Sequence, residues 1–402
     1  MLPQKFSLTH PTAENKVKTM EIRYITPEEA PEFQKISAAS FIWKFDPAVD
    51  DHVDYPVLGA FENGRIVSGA EALTFKSNYC GKFLNAIVTS GICSLPEARR
   101  MGSIRAIFDK IGNMAVENDW AFGILFPFSI PYYEKFGYAN LNRMFSVKVP
   151  FVNLGNIPRN TDAELYTGEQ FEELCALHNK CALRENLLTQ RSERKFFCDK
   201  PLENADYTYI HRNSSGEADG YVRYTVSRPE KLTVEELFFL TPDALSSLIG
   251  FLRNYDGIVK NLIVKNQYQG SPFACIADRL ADVTYEFGGS PAGRIYNMQT
   301  ILENNSYPEE YGRFRLKCID DLPQNSGIFE VEYQNGKASV TKTNSGDYDL
   351  SLTPPAAARL LLAGEGHTAE TAVYIAGTEI NGNADGFFKA FPYRQTRFTD
   401  AF

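Results

Sequence analysis

Long apolar stretches are missing from this sequence. No uninterrupted apolar run approaches the roughly 18 residues that a membrane-spanning helix needs, and the mean hydropathy is -0.29. The opening segment MLPQKFSLTHPTAENKVKTM has neither the apolar core nor the cleavage site of a secretory signal peptide. We therefore expect a cytoplasmic protein that folds without lipid.

Cysteine and histidine are few and scattered. The seven cysteines are odd in number and show no C-x-x-C spacing, so no disulfide framework or zinc motif is recognisable. The five histidines are equally dispersed, and no metal-ligand cluster is visible from their spacing. We expect reduced, mostly buried thiols and no metal.

Basic residues are outnumbered, since 41 Lys and Arg stand against 50 Asp and Glu for a net charge of -9. Nucleic-acid binding needs clustered Lys and Arg, so nucleic acid is not an expected partner. An acidic protein suits a small cationic partner, to which Asp46, Asp50 and Asp51 would contribute attraction. Acidity that serves solubility alone is an equally good interpretation.

The length of 402 residues predicts two or three domains, because single hydrophobic cores stop growing near about 250 to 300 residues. The first domain begins near Met20 with a strand and an amphipathic helix, and Asn63-Gly64 joins two apolar strands as a hairpin turn. After a break at 77–82 the pattern predicts a strand, a loop, a helix, a buried strand at 121–126, and a short helix and turn at 131–138.

This order of elements restarts once, and a third unit follows it. From about residue 150 a helix, several strands and a second helix with Thr241 at its N-cap follow, without an Arg-Arg-x-Gly loop after the central strand. Such a pattern is typical of a degenerate copy that lacks the ligand site. A third unit then alternates strands, with Asn335-Gly336 as a hairpin turn, before Pro354 opens a helix that Gly364 closes.

The segment 91–105 carries the most chemical information. A strand feeds a Pro-x-x-Arg-Arg-x-Gly loop and then a helix, which places backbone N–H groups at a helix N-terminus, where pyrophosphate binds. Gly102 permits close approach of phosphate, and Arg99 or Arg100 adds charge-assisted hydrogen bonds. An ordinary strand-to-helix turn with a solvated basic pair is the alternative interpretation.

The run Arg99-Arg100-Met101-Gly102-Ser103-Ile104 resembles the acetyl-CoA loop of the GNAT acetyltransferases, although Ile104 replaces that family's small last residue. With IPYYEKFGY and a terminal aromatic residue, nearly the whole chain resembles the Eis (enhanced intracellular survival) branch. The resemblance implies an α+β chain with two tandem GNAT folds and a sterol-carrier-protein-like α/β domain. The implied ranges are 20–150 for the catalytic domain, 151–290 for a degenerate domain without cofactor and 291–402 for the C-terminal domain.

The resemblance also implies acetyl-CoA as the co-substrate, with no metal. The strand residues Ile92, Cys93 and Ser94 match those that pair with pantetheine. The other implied contacts are Arg99, Arg100, Met101, Gly102, Ser103, Ile104, Arg105, Phe128 and Ser129. No histidine partner for Cys93 is evident, so we do not expect a covalent intermediate.

Two residues match the family's acid and base. Tyr133, which opens the run Y-E-K-F-G-Y, matches the tyrosine that protonates the departing CoA thiolate, with Tyr132 as its rival. The family's base is the α-carboxylate of the chain terminus, here Phe402, and Phe398 gives the tail a second apolar side chain. A packed surface tyrosine and a frayed tail are the structural alternatives.

The expected function is therefore transfer of an acetyl group to the primary amine of an aminoglycoside, a polyamine or a lysine-like compound, by direct attack. The family resemblance implies a homo-hexamer whose C-terminus enters the active site. Two other classes stay open, namely a non-catalytic acyl-CoA sensor and a lipid-binding protein.

Overall fold

The computed structural model describes residues 20–227, 231–268, 270–344 and 346–400. The chain divides into two compact units. The first contains the described residues up to Glu71 together with 91–110, and the second contains 72–90 together with the described residues from Ile111 onward. Within the described ranges no helix is both long enough and apolar enough to cross a membrane.

The first unit is built from antiparallel strands and an amphipathic helix. Its elements are β1 (Glu21–Tyr24), α1 (Ala30–Phe41), β2 (Val57–Glu62) and the parts of β3 (Arg65–Tyr79), β4 (Lys82–Ser94) and α2 (Ser103–Glu117) that fall in it. In this unit the strand order is β1-β2-β3-β4. The predicted hairpin turn is confirmed, because Asn63 and Gly64 have φ values of 52° and 78°.

One side of α1 forms the core of this unit. Phe33 and Ile36 lie three residues apart, which puts both on one helix face. They pack in a buried cluster whose other members are Val57, Phe61, Ile66 and Cys93. Burial of each large apolar side chain stabilises the fold by about 1.5–3 kcal/mol. Gly69 leaves room for this packing, since a Cβ there would lie 2.7 Å from the Phe33 ring.

The predicted break at 77–82 is wrong. Strand β3 continues to Tyr79, and a two-residue turn at Cys80 and Gly81, with φ values of 52° and 85°, leads into β4. Serine and asparagine usually mark turns, but here Asn78 is buried and its Nδ2 donates to the Glu185 carbonyl oxygen at 2.8 Å. This long-range hydrogen bond gives a turn-forming residue a partner within a strand.

The second unit contains most of the elements. They are β5 (Phe122–Leu125), α3 (Ile130–Tyr133), β6 (Ala139–Asn140), β7 (Met144–Pro150), β8 (Ala163–Leu165), α4 (Phe171–Ala182), α5 (Pro201–Asn204), β9 (Asp206–Arg212), β10 (Ala218–Ser227), β11 (Lys231–Phe239), α6 (Pro242–Leu252), β12 (Asn261–Gln267), α7 (Phe273–Ile276), β13 (Thr284–Gly289), β14 (Ala292–Ile295), α8 (Met298–Asn304), β15 (Gly312–Cys318), β16 (Gly327–Gln334), β17 (Lys337–Thr343), β18 (Leu350–Leu352), α9 (Pro354–Leu362), α10 (Ala369–Ala372), β19 (Thr378–Ile380) and α11 (Asp385–Ala390).

Strands of the second unit fall into three sheet regions, with the orders β3-β4-β5-β14-β6, β13-β7-β12-β11-β10-β9-β8 and β17-β16-β15-β18-β19. Parallel pairs occur in each region, between β4 and β5, β11 and β12, and β15 and β18. The first two pairs are joined through connections that contain a helix, α2 and α6 respectively, whereas β15 is joined to β18 through the strands β16 and β17. The architecture is therefore mixed α and β, with apolar clusters in each sheet region.

Local signals in the second unit are also confirmed. The Thr241 hydroxyl caps α6 by accepting a hydrogen bond from Ala244 N at 3.1 Å. Asn335 and Gly336 form the turn between β16 and β17 with φ values of 54° and 73°, and α9 is followed by Gly364 with φ of 68°.

The pairings of β7 and β14 cross the boundaries of the predicted domains. Strand β14 pairs with β5 and β6, whereas β7 pairs with β12 and β13. The sheet region that contains β5 and β6 therefore includes β14, which follows the second predicted domain in the sequence. The region that contains β12 and β13 includes β7, which precedes that domain. The three predicted domain ranges and the sterol-carrier-like assignment of the last one stay predictions.

Candidate active site

Strand β4 ends in the first unit with the predicted pantetheine-pairing residues. Gly91 has a φ of 57° inside this strand, which is typical of a β-bulge that bends the strand. Beyond it, Ile92 and Ser94 are partly exposed while Cys93 is buried in the core beside Phe33. Burial raises the pKa of the Cys93 thiol to about 12, so this cysteine stays protonated and is not a nucleophile.

The loop after β4 is shaped by two residues with left-handed backbone. A single 3-10 turn at Pro96–Ala98 is followed by Arg100 with φ of 65° and Gly102 with φ of 89°. Helix α2 begins at Ser103. Its first hydrogen bond runs from Ala106 N to the Gly102 carbonyl oxygen at 3.0 Å, so the preceding N–H groups have no partner within the helix.

Most side chains of the loop are exposed. Arg99, Arg100 and Arg105 are exposed, Met101 is 49% exposed, and no atom lies within 4 Å of the place where a Cβ on Gly102 would sit. Ile104, the departure from the family pattern, turns its side chain inward and is 9% exposed. The loop therefore presents amides, guanidinium groups and an open glycine, a donor set that fits a pyrophosphate.

A chain of serine hydroxyls holds this loop in place, and the sequence analysis did not single it out. Ser68 Oγ contacts Ser94 Oγ at 2.9 Å and Ser103 Oγ at 2.7 Å. The three residues come from β3, β4 and the first position of α2, and Ser68 and Ser103 are buried. The hydroxyls thus tie the end of the strand to the start of the helix. Only long-range pairing brings Ser68 to them, so no local signal marks it.

The second unit contains the predicted catalytic tyrosine. Ser129 is the N-cap residue of α3, and its carbonyl oxygen accepts from Tyr133 N at 3.4 Å. The Tyr133 ring is 3% exposed and packs edge-on against Phe128 at 5.5 Å and Tyr132 at 5.1 Å between centroids. Burial raises the pKa of Tyr133. Its hydroxyl therefore keeps its proton at neutral pH.

The run Y-E-K-F-G-Y owes its shape to Gly137. This residue closes the turn after α3 with φ of 80°, and a Cβ on it would lie 2.9 Å from Pro354 and 3.0 Å from the Arg294 guanidinium. Arg294 donates to the Phe136 carbonyl oxygen and pairs with Asp320 at 3.0 Å. Glycine is thus required both by backbone conformation and by space.

The described part of the tail is held along its length. Phe398 is buried and contacts Phe75 at 6.0 Å and Phe126 at 5.7 Å between ring centroids. One residue earlier, Arg397 pairs with Glu185 at 2.7 Å. The chain here is not frayed, so the apolar tail anchor predicted at Phe398 is confirmed.

Asp400 ends the described chain in a buried ionic network. Its carboxylate accepts from the Thr189 hydroxyl and pairs with Arg191, which also donates to Glu236 at 2.8 Å. Burial alone would raise the pKa of Glu236, but the charge of Arg191 lowers it to about 2. Phe402, the predicted base, lies outside the described residues.

The end of strand β5 is where these features of the second unit converge. Phe126 follows β5 directly and contacts the tail residue Phe398, whereas Phe128, two residues later, packs on Tyr133. A cavity of about 420 Å³ is lined by Phe75, which contacts Phe398, and by Thr189, Glu193, Lys195 and Phe196 among others. Thr189 also binds Asp400, so the cavity borders the tail.

The acidic residues near α1 have local roles. Asp50 Oδ2 accepts from Asp46 N at 2.7 Å, and Asp46 Oδ1 accepts from Ala48 N at 3.0 Å. Asp51 pairs with the exposed His52 at 3.0 Å. Asp46 and Asp50 therefore stabilise a turn, which favours the interpretation that their acidity serves solubility alone. Among the described residues no group of three or more potential metal ligands occurs.

Several solved structures share this fold. A probable N-acyltransferase from Enterococcus faecalis V583 has a TM-score of 0.83 and 21% identity, covering 96% of this chain and all of that chain. A GCN5-related N-acetyltransferase from Kribbella flavida has a TM-score of 0.79 and 17% identity, covering 97% of this chain and all of that chain. Eis1 from Mycobacterium abscessus has a TM-score of 0.78 and 17% identity, covering 95% of this chain and all of that chain. At these identities the likeness shows the fold alone.

Family models give the assignment. Residues 21–141 match one model described as an acetyltransferase (GNAT) domain, and residues 187–294 match a second model with the same description. No curated protein matches the sequence. The first matched range includes β4, the arginine loop, α2 and Tyr133. Two GNAT domains, which use acetyl-CoA as co-substrate, thus lie in this chain, and the protein is an acetyltransferase.

Proposed function

We propose that this acetyltransferase moves the acetyl group of acetyl-CoA to the primary amine of a small cationic molecule by direct attack. The supporting observation is that Tyr133 and the held tail flank the same end of β5 in the second unit. A reaction that moves two protons needs an acid and a base, and Tyr133 and the chain terminus are the groups we propose for these roles. The acceptor class rests on the net charge of -9.

The first unit would bind acetyl-CoA. We assign the pyrophosphate to the amides at the start of α2, with Arg99, Arg100 and Arg105 adding charge-assisted hydrogen bonds. Backbone groups of Ile92–Ser94 would pair with the pantetheine and polarise the thioester carbonyl. Phe128 and Ser129 remain proposed contacts of the same molecule. When bound, acetyl-CoA supplies the activated acetyl group.

Tyr133 is proposed as the general acid. As the new C–N bond forms, the C–S bond breaks and its electron pair goes to sulfur. A buried tyrosine with a raised pKa holds its proton until that thiolate appears, and CoA is an alkyl thiol, whose pKa resembles that of cysteine at about 8.5. The hydroxyl therefore acts first as a hydrogen-bond donor to the developing charge, and solvent restores any proton it gives.

The α-carboxylate of Phe402 is proposed as the base that takes the proton of the attacking amine. The support is the family resemblance together with the contacts that hold Phe398 and Asp400 just before it. On the same resemblance we propose that the protein is a cytoplasmic hexamer and that its C-terminal domain is sterol-carrier-like.

A thiol-release assay with acetyl-CoA and a panel of polyamines, aminoglycosides and lysine-containing peptides tests the proposal. We expect amine-dependent release with at least one class, and retention of release in Arg313→Gln, an exposed control. Gly102→Asp should remove it, because the carboxylate repels phosphate. CoA binding by calorimetry without release for any amine would instead identify an acyl-CoA sensor.

A further inference from the structure

A second cavity lies in the second unit, and none of the residues at the end of β5 is in its lining. It has a volume of about 320 Å³, and we call it the arginine pocket. Its lining includes Asn142, Arg143, Arg359, Glu365, Tyr393 and Arg394. These residues come from the segment before β7, from the end of α9 and the residues after it, and from the tail. Nothing in the proposed acetyl transfer uses them.

The charge of the arginine pocket is opposite to that of the chain. Three arginines face one carboxylate in its lining, whereas the whole sequence has a net charge of -9. Glu365 Oε2 accepts from Arg359 Nε at 3.1 Å and so neutralises one guanidinium. Arg143 is exposed and has no ion pair among the described residues. The uncompensated positive charge indicates an anionic ligand.

Donors remain free on the other arginines as well. Arg394 uses Nη2 to bind the carbonyl oxygens of Ser306 at 2.8 Å and Ala390 at 3.0 Å, which fixes its position. A guanidinium has five N–H donors in a planar fork, so its other nitrogens stay available. Fixed arginines with spare donors are the usual partners of phosphate oxygens.

Asn142 adds an independent sign of a ligand. This residue is only 9% exposed, and its Nδ2 donates to the Thr396 carbonyl oxygen. Asn142 lines the cavity, and its Oδ1 is a buried acceptor without a partner among the described residues. Because an unsatisfied buried acceptor costs free energy, a ligand that donates from a hydroxyl or amino group would be favoured here.

Tyr393 supplies a surface for a flat group. Its ring is 61% exposed beside the arginines, and exposed tyrosine rings stack on planar bases. A phosphate, a donating hydroxyl or amine, and a planar ring occur together in a nucleotide. We propose that the arginine pocket binds a nucleoside monophosphate, with the phosphate on Arg143 and Arg394, a ligand donor on Asn142 and the base on Tyr393.

Calorimetric titration with cytidine 5′-monophosphate tests this assignment, because that compound lacks the adenine of CoA. We expect one binding site, and Arg143→Gln should weaken binding by about tenfold or more through loss of a charge-assisted contact. Arg313→Gln, an equal loss of charge at another exposed site, should leave it unchanged. Tyr393→Ala should weaken binding of the nucleotide by about fivefold or more but leave the affinity for ribose 5-phosphate unchanged.

Three results would overturn the proposal. They are no measurable binding of cytidine 5′-monophosphate at millimolar concentration, equal effects of Arg143→Gln and Arg313→Gln, or equal affinity for the nucleotide and inorganic phosphate with no effect of Tyr393→Ala. Both key side chains are exposed, so the variants should fold. Unchanged thermal midpoints would verify that.

Discussion

Single residues show where this chain departs from local preference. Ile42 follows α1 with φ of 60° and ψ of 47°, a left-handed conformation that β-branched side chains rarely adopt. The helix still closes there, because Trp43 N donates to the Ala38 carbonyl oxygen at 3.1 Å. The Ile42 side chain is 93% exposed, so its packing does not offset the backbone strain.

Ile42→Gly should therefore stabilise the protein by about 1 kcal/mol, since glycine adopts this conformation without steric cost. The measurement is the thermal or urea midpoint. Ile42→Ala is the matched control, because it removes the exposed side chain and keeps the Cβ. If the alanine variant were as stable as the glycine variant, the gain in stability would not come from relief of the backbone strain.

Tyr133→Phe should lower kcat by about 100-fold or more with little change in the apparent KM for either substrate, because it deletes only a proton donor. The ring packs against Phe128 and Tyr132, and phenylalanine preserves that packing. Tyr132→Phe should have a milder effect. Small, equal effects of both substitutions would remove Tyr133 from the reaction.

Residue identity allowed some of this site to be predicted. The motif Arg-Arg-Met-Gly and the run Y-E-K-F-G-Y are local, and the structure gives each the turn that its glycine requires. Ser68 and Arg191 escaped prediction because their partners lie far along the chain. Ser68 binds Ser103, 35 positions away, and Arg191 binds Asp400, 209 positions away.

Elements were predictable where their ends are marked. Asn63-Gly64, Thr241 and Pro354 each signalled a boundary that the structure has. Strand β3 was cut short in the prediction because Ser77 and Asn78 resemble a turn, while their tertiary contacts make them buried strand residues. The placement of β7 and β14 in their sheet regions has no local signal either, since nothing in the short runs MFSVKVP and AGRI identifies the partner strand.

The tail is the element on which the proposed base depends. Adding a few residues after Phe402, or deleting it, should abolish acetyl transfer and preserve CoA affinity, because each change moves the α-carboxylate by at least one residue, about 3.3 Å or more of chain. Phe402→Ala should retain partial activity, since it keeps the carboxylate. Full turnover in the extended protein would exclude this base.

At the scale of the whole molecule, buried titratable groups set the response to acid. His178 contacts the Tyr221 hydroxyl at 2.8 Å and the Thr189 carbonyl oxygen at 3.1 Å, in the same network as Glu236 and Arg191. Burial, aided by the Arg191 charge, lowers the pKa of His178 from 6.5 to about 3. Glu236 has a pKa of about 2.

Stability should fall as pH drops from about 6.5 toward 3. Below pH 6.5 the unfolded state binds a proton at His178 that the folded state excludes, and below about 4.5 the same holds for Glu236. His178→Gln should lower the thermal midpoint at pH 7 but flatten its decline between pH 6.5 and 4.5. His52→Gln, at an exposed site, should leave that slope nearly unchanged. An unaltered slope in His178→Gln would contradict the assignment.

The most direct test of acetyl transfer is the mass of the acceptor after incubation with isotopically labelled acetyl-CoA. We predict that wild-type protein adds one labelled acetyl group to the amine that releases thiol, that Gly102→Asp adds none, and that Tyr133→Phe adds it at least about 100-fold more slowly. Labelling by Gly102→Asp at the wild-type rate, or thiol release by wild-type protein without a labelled amine, would contradict the proposed transfer.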